Sequence, residues 1–443
     1  MPGEQGGIRA GHDGATGERD PGIRGAATEE HRQVSVSRPA AVIILAAGEG
    51  TRMKSDTPKV LHAICGETLL GHVLGAARET DPVRVIVVVG HRRREVTEYL
   101  ARHAPDAQPV IQHRQGGTGH AVRTVIEEAG LDHGTIVVAC ADTPLLRGAT
   151  LADLVREHQA SDAAATVLTA RVPNPHGYGR IIRDGSGNFL AIIEEADATP
   201  AQRAVDEINS GVYAFEAHLL GDAVKRVPTD NAKGEEYLTD VVAILRAEGH
   251  HVASVTLEDP DEVLGVNDQA QLARARHIFN ARLLGTWMGA GVTIVDPATT
   301  WIDTGVSLAR DVEIGPGTQL EGRTAVAAGA RVGPGSQLRD TAVGEGASVI
   351  QSFCREADIG AGAVVGPFAY LPPGSKVDAG GSAAGMNESG IGAGGQVTGS
   401  GRDPAHQNAG GQGSGGQGFQ AQGAGGRHAG GQDAATSEGA QDA

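Results

Sequence analysis

Aromatic residues make up only 3% of this 443-residue chain, which also holds 66 glycines, so part of it cannot pack as an ordinary globule. Cysteine is almost absent. Cys65, Cys140 and Cys354 are far apart and form no C-x-x-C pair, which argues against a disulfide framework or a zinc site and for reduced thiols. Positive charge is also in short supply, 37 Lys+Arg against 54 Asp+Glu for a formal net charge of −17. Such a balance disfavours non-specific binding to nucleic acid or anionic lipid, so any phosphate site has to be a local basic pocket. No apolar stretch approaches membrane-spanning length, and the N-terminus carries no hydrophobic signal core. These absences predict a cytoplasmic protein with neither a nucleic-acid nor a membrane partner.

What remains is modular. With 40% hydrophobic residues, the length allows two or three domains with real cores. Residues 1–38 are rich in Gly, Arg, Glu and Asp with almost no large apolar side chain, and are predicted to be a disordered extension. From Ala41 the pattern alternates strand and helix. Val83 to Val89 and Thr135 to Ala139 are short apolar runs suited to parallel strands buried on both faces, and Leu69 to Arg78 and Thr118 to Ala129 are amphipathic. The alternation predicts an α/β fold over residues 39–265, a doubly wound, Rossmann-like domain with its ligand at the carboxyl ends of the strands. Leu272, Ala275, Phe279 and Leu283 recur at helical spacing, giving a connecting helix within residues 266–295.

After that helix the period changes to six. Ile302, Leu308, Ile314, Leu320, Val326, Val332 and Leu338 form a strict hexad, which Val343 and Val349 continue after a one-residue slip and Ile359, Val365, Leu371 and Val377 resume. One inward aliphatic per short strand and three strands per coil predict a left-handed parallel β-helix over residues 296–378, catalytic or merely a spacer. Residues 379–443 turn to Gly, Ala, Gln and Ser and are predicted to be a disordered tail.

Directly after the apolar run Ala41 to Ile44 comes Leu45-Ala46-Ala47-Gly48-Glu49-Gly50-Thr51-Arg52-Met53, followed by Thr57-Pro58-Lys59. A strand feeding a glycine turn presents backbone N–H groups to phosphate, and Arg52 and Lys59 can neutralise triphosphate charge. The segment matches neither G-x-G-x-x-G nor G-x-x-x-x-G-K-[ST]. The string LAAGEGTRMKSDTPKVLH instead resembles the N-terminal signature of sugar-1-phosphate nucleotidyltransferases. Within that group the chain, from about Ala41 to about Leu371, is most similar to the bacterial bifunctional N-acetylglucosamine-1-phosphate uridyltransferase and glucosamine-1-phosphate N-acetyltransferase family.

That resemblance implies uridylyl transfer from UTP to N-acetylglucosamine-1-phosphate for cell-wall precursor synthesis. It casts Arg52 and Lys59 as catalytic residues, Leu45, Ala46, Ala47, Gly48 and Lys59 as the nucleotide loop, and Asp142 and Asn267 as Mg²⁺ ligands, Asn267 also touching substrate. From the residues alone, Asp142 reads more often as a strand-end turn or helix-cap residue than as a ligand, and Asn267 reads equally as a helix cap. Cys140-Ala141-Asp142 stands where the family often has glycine before the Asp, so the Ala141 methyl is expected to crowd the nucleotide. Gln112, Gly117 and Thr118 match the uracil-reading segment, which without the family reads as a helix start capped by Thr118. Gly179, Glu194 and Asn209 match sugar-binding positions. The family is also expected to trimerise through its β-helix.

One departure concerns the second activity. In relatives the coils after the equivalent of Gly366 to Leu371 continue with Arg, Lys, His, Tyr and Asn residues that serve acetyl transfer. Here the Arg position is Pro372, no N-Y-D-G segment follows, and His406 and His428 lie in glycine-rich sequence. Loss of the acetyltransferase is the expectation. The alternatives are another sugar-1-phosphate nucleotidyltransferase, or a non-catalytic scaffold on a degenerate transferase domain.

Overall fold

A computed structural model describes residues 37–385; the expected N-terminal extension up to residue 36 and the glycine-rich segment from residue 386 lie outside the described residues. The first body is an α/β layer structure around a mixed sheet. Its strands run in the order Val252–Thr256, Ala165–Arg171, Glu207–Glu216, Thr135–Cys140, Ala41–Ala46, Val85–Val89 and Ala107–Ile111. The central strands Ala41–Ala46, Thr135–Cys140, Val85–Val89 and Ala107–Ile111 pair in parallel, the first three as their apolar runs predict. Glu207–Glu216 runs antiparallel to both its neighbours, so the sheet is not purely doubly wound. The strand predicted from Val83 begins at Val85, because Val83 sits at a bend and is exposed.

Period-two alternation explains the two cores. Val42, Ile44, Val85 and Val87 face helices Leu69–Arg78, Arg93–His103 and Gly148–Ala160, whereas Ile43, Ile86, Val88 and Ile136 face helices Thr118–Ala129 and Leu238–Ala247. Burial of each such aliphatic side chain is worth about 1.5–3 kcal/mol, so the strand ends that carry the site rest on a rigid platform.

One buried titratable group in this body sets a pH dependence. His158 is 2% exposed, its Nδ1 lies 3.0 Å from the Thr166 hydroxyl, and burial pushes its pKa down to about 4. The unfolded chain therefore binds a proton that the folded chain refuses between the ordinary histidine value and about 4. His158's contribution is fully present above about 6.5, is lost as the pH falls through that window, and amounts to about 3 kcal/mol. Thermal unfolding at pH 7 and pH 4.5 should show a decline that His158→Gln flattens; an equally steep decline in the variant would assign it to other groups.

Helix Gln269–Gly289 joins the two bodies. It buries Leu272 and Ala275 as its spacing predicts, but Leu284 rather than Leu283 enters the core of the second body. Asn280, also buried, donates to Thr300 O at 2.8 Å and accepts from Ile302 N at 3.1 Å, fixing the first coil to the helix. The second body is a left-handed parallel β-helix made of three parallel sheets of 6, 5 and 5 short strands. All the hexad aliphatics point inward and are buried. Cys354 fills the inward position between Val349 and Ile359, each step there shortened to five residues, so the repeat never lapses. A further strand, Ser382–Ala383, pairs with Val364–Val365 and carries the coil beyond Val377.

Candidate active site

The strand Ala41–Ala46 ends in Ala47-Gly48-Glu49-Gly50 and a single turn, Thr51–Met53. Buried Met53 anchors the loop among Ile64, Leu69, Leu145 and Val266. Gly50 adopts φ +64°, and a Cβ there would lie 2.6 Å from the Cβ of Lys59, so glycine is what lets the loop lie against Lys59. The N–H groups of Gly48, Glu49 and Gly50 donate to no described residue. A Cβ on Gly48 would meet nothing within 4 Å, which leaves open space above a row of unspent donors.

That space is a cleft of about 530 Å³ at the carboxyl ends of the strands. Leu45, Ala46, Ala47, Gly48, Lys59, Gln112, Gly117, Thr118 and Asp142 all line it. At one side Lys59 Nζ lies 2.5 Å from Asp142 Oδ2 and 3.2 Å from Asn267 Oδ1, with the Lys59 and Asp142 side chains 12% and 21% exposed. Val266 N donates to Asp142 O at 2.8 Å and thereby brings Asn267 to the strand end. Asn267 does not cap the helix that follows. Asp268 does, accepting from Gln271 N at 2.8 Å, which leaves the Asn267 amide oxygen for a cation. One carboxylate and one amide oxygen converging on a single ammonium suit a hard divalent ion with few protein ligands.

Several local expectations need correction. The Ala141 side chain is fully buried in the core and does not line the cleft, so it cannot crowd a nucleotide. Gly117 and Gly119 are required by packing: a Cβ on either would lie within 3.0 Å of Glu236 O, to which Gly119 N donates at 2.7 Å. Thr118 does not cap its helix; its hydroxyl accepts from Leu238 N at 3.0 Å. The Arg52 expectation is not among these: Arg52 is exposed on the turn next to Thr51, which lines the cleft.

Gly179, Glu194 and Asn209 form a separate cluster. Asn209 N donates to Gly179 O at 2.9 Å, and a Cβ on Gly179 would lie 3.6 Å from Glu194 Oε1. Burial raises the Glu194 pKa, against the hydrogen bond from Thr239. The buried Asn209 amide donates to the Tyr213 hydroxyl at 2.7 Å. Between cluster and cleft stands Cys140, whose thiol burial pushes up to about 12 and whose Sγ is 3.7 Å from Gly211 O. Gln115, Lys233 and Glu235 also line the cleft. Sequence reasoning missed them because Lys233 and Glu235 sit in a polar turn with no motif, brought in by tertiary pairing of Glu236 with Gly116, Gly119 and Arg123 and of Leu238 with Thr118.

A mixed α/β sheet carrying an anion-ready glycine loop and a cation-gathering carboxylate at its strand ends defines a nucleotidyltransferase. Residues 42–207 match the MobA-like NTP transferase domain. The bifunctional protein GlmU of Streptomyces avermitilis is 56% identical over 348 residues, 78% of this chain and 72% of that one. That of Thermobifida fusca is 57% identical over 331 residues, 74% and 68% of the two chains, and that of Mycolicibacterium gilvum 47% identical over 350, covering 77% and 70%. The chain belongs to the GlmU family. It is a UDP-N-acetylglucosamine diphosphorylase, an enzyme of UDP-N-acetylglucosamine and peptidoglycan synthesis that takes a nucleoside triphosphate and a sugar phosphate and uses a divalent metal. Among the described residues, no helix is long and apolar enough to cross a membrane.

Proposed function

We propose that the chain transfers a uridylyl group from UTP to N-acetylglucosamine-1-phosphate, with Mg²⁺ as its divalent cation, in the cytoplasm. The observation that carries this reading is the convergence of Lys59, Asp142 and Asn267 beside the unspent N–H groups of Gly48 to Gly50. A phosphate oxygen of the sugar phosphate attacks the α-phosphorus of UTP in line; the new P–O bond forms as the bond to the β-phosphate oxygen breaks, and pyrophosphate leaves. The loop N–H groups hold the triphosphate, Lys59 neutralises charge at the reacting phosphate, and Arg52 does so from the rim. Asp142 and Asn267 would hold Mg²⁺, which neutralises phosphate oxygens when bound. Gln112 and the Thr118 helix start face the base, and Gly179, Glu194 and Asn209 receive the acetamido sugar through amide, backbone and carboxyl groups. Pyrophosphate release should be fastest with UTP and N-acetylglucosamine-1-phosphate. Equal turnover with glucose- or mannose-1-phosphate would move the substrate assignment, and no turnover with any pair would favour a scaffold.

The same reading has residues 372–443 lacking acetyl-transfer machinery, since Pro372 stands at the arginine position and the later histidines, His406 and His428, lie in glycine-rich sequence. Thiol release from acetyl-CoA with glucosamine-1-phosphate should match the background of a chain lacking residues 386–443. Turnover above that background would restore the second activity. Self-association into a trimer through the β-helix is supported by exposed Phe353 and Tyr370, neighbours in one sheet, and light scattering reads the mass directly.

A further inference from the structure

Gln112 is 5% exposed, and one terminal atom of its amide makes two contacts: Nε2 lies 3.0 Å from Gly117 O and 2.9 Å from His120 Nδ1. A backbone carbonyl only accepts, so the atom beside it has to be the NH₂ and the amide cannot be flipped without setting two oxygens against each other. Both amide hydrogens are then spent. His120 Nδ1 has to be the lone-pair nitrogen, which places the imidazole proton on Nε2. Only Oε1 of Gln112 remains for a base in the cleft.

We infer that His120 is a positioning residue for base selection: with Gly117 O it locks the Gln112 amide so that a carbonyl oxygen, an acceptor only, faces the pyrimidine. This rests on the reading that Gln112 meets the base. Uracil presents N3–H, a donor, and is accepted; cytosine presents a lone pair at N3, which opposes Oε1 and is refused. Selection of UTP over CTP thus depends on a residue that does not touch the base.

The lock works in one protonation state. A second proton on His120 would set Nδ1–H against Nε2–H₂, two donors with no acceptor between them, and the amide would lose its orientation. The ring is held from the loop side by Gly116, where an added Cβ would lie 3.0 Å from its Cγ. The charged groups that act on it are Arg123 and Glu127 on its own helix, Arg114 on the preceding loop and Glu236 on the packed segment. Burial lowers its pKa, Arg123 and Arg114 add to that, and Glu236 and Glu127 oppose it. The neutral, locking form therefore persists to lower pH than in an ordinary histidine.

Steady-state kinetics with UTP and CTP between pH 5 and 8 test this in wild type, His120→Leu, His120→Asn and Gln112→Leu. His120→Leu, which cannot accept, should raise KM for UTP by about 5–10-fold, with the effect on KM rather than kcat, and lower the preference for UTP over CTP by a similar factor. His120→Asn can place Oδ1 where Nδ1 stood; it should keep the preference and lose the wild-type rise in KM at acid pH. An unchanged preference in His120→Leu, or an unchanged acid rise in His120→Asn, overturns the proposal, and the second measurement decides even if the leucine variant does not fold. Gln112→Leu separates the two levels. If it retains the wild-type preference, the base-reading assignment itself falls; if it loses it while both His120 variants behave as wild type, only the lock falls.

Discussion

Asp142→Asn is expected to lower uridylyl transfer by roughly 10³-fold or more while the protein stays folded, because the amide keeps the shape but removes the only formal negative charge of the Asp142–Asn267 pair. A hard divalent cation held by few protein ligands depends on that charge. Folding should change little. Asp142 is partly exposed, its backbone oxygen still receives Val266 N, and an amide oxygen can still accept from Lys59 Nζ. Two readouts check this together: pyrophosphate release at saturating substrate, and melting temperature with and without millimolar Mg²⁺. Wild type should be stabilised by the cation and the variant much less so. Full activity of the variant at low Mg²⁺ would remove Asp142 from the mechanism.

How far the sequence reaches depends on whether a residue's role is set along the chain or across it. The β-helix was legible from Ile302 to Val377 because its period is local and every sixth side chain has to fill the same interior. It blurred only where five-residue steps put Cys354 at the inward position, since a cysteine does not advertise itself as an aliphatic filler. Helices Leu69–Arg78 and Thr118–Ala129 begin and end where their amphipathic patterns do. The glycine loop was legible for the same reason: a strand, a turn and two basic residues lie within one short segment. Roles set by tertiary pairing were not. Whether Asn267 or Asp268 caps the helix turned on Gln271, and whether Gly117 serves a ligand or a neighbour turned on Glu236, more than a hundred positions away. The direction of the Ala141 methyl depended on which face of the strand end met the core.

The strongest consequence of the geometry falls on Lys59. Its ammonium sits against the same two oxygens, Asp142 Oδ2 at 2.5 Å and Asn267 Oδ1 at 3.2 Å, that a divalent cation would use. Lysine and metal are therefore competitors for one pair of acceptors until nucleotide supplies further anionic oxygens for both. Lys59→Ala should accordingly divide two properties that a purely structural lysine would move together. Turnover should fall by roughly 10²–10³-fold, since a cation aimed at charge that develops on the reacting phosphate is lost. Binding of Mn²⁺ alone, followed by calorimetry or by the loss of its free-ion resonance without nucleotide, should tighten, because the resident ammonium no longer has to be displaced. The buried Val60 beside it and Gly50 packed on its Cβ hold the turn in place, and Lys59→Met preserves that packing while removing the charge. If the methionine variant turns over like wild type, Lys59 is a packing residue; if both variants lose turnover while Mn²⁺ binds no tighter than before, the competition is wrong and Lys59 acts on the phosphates alone.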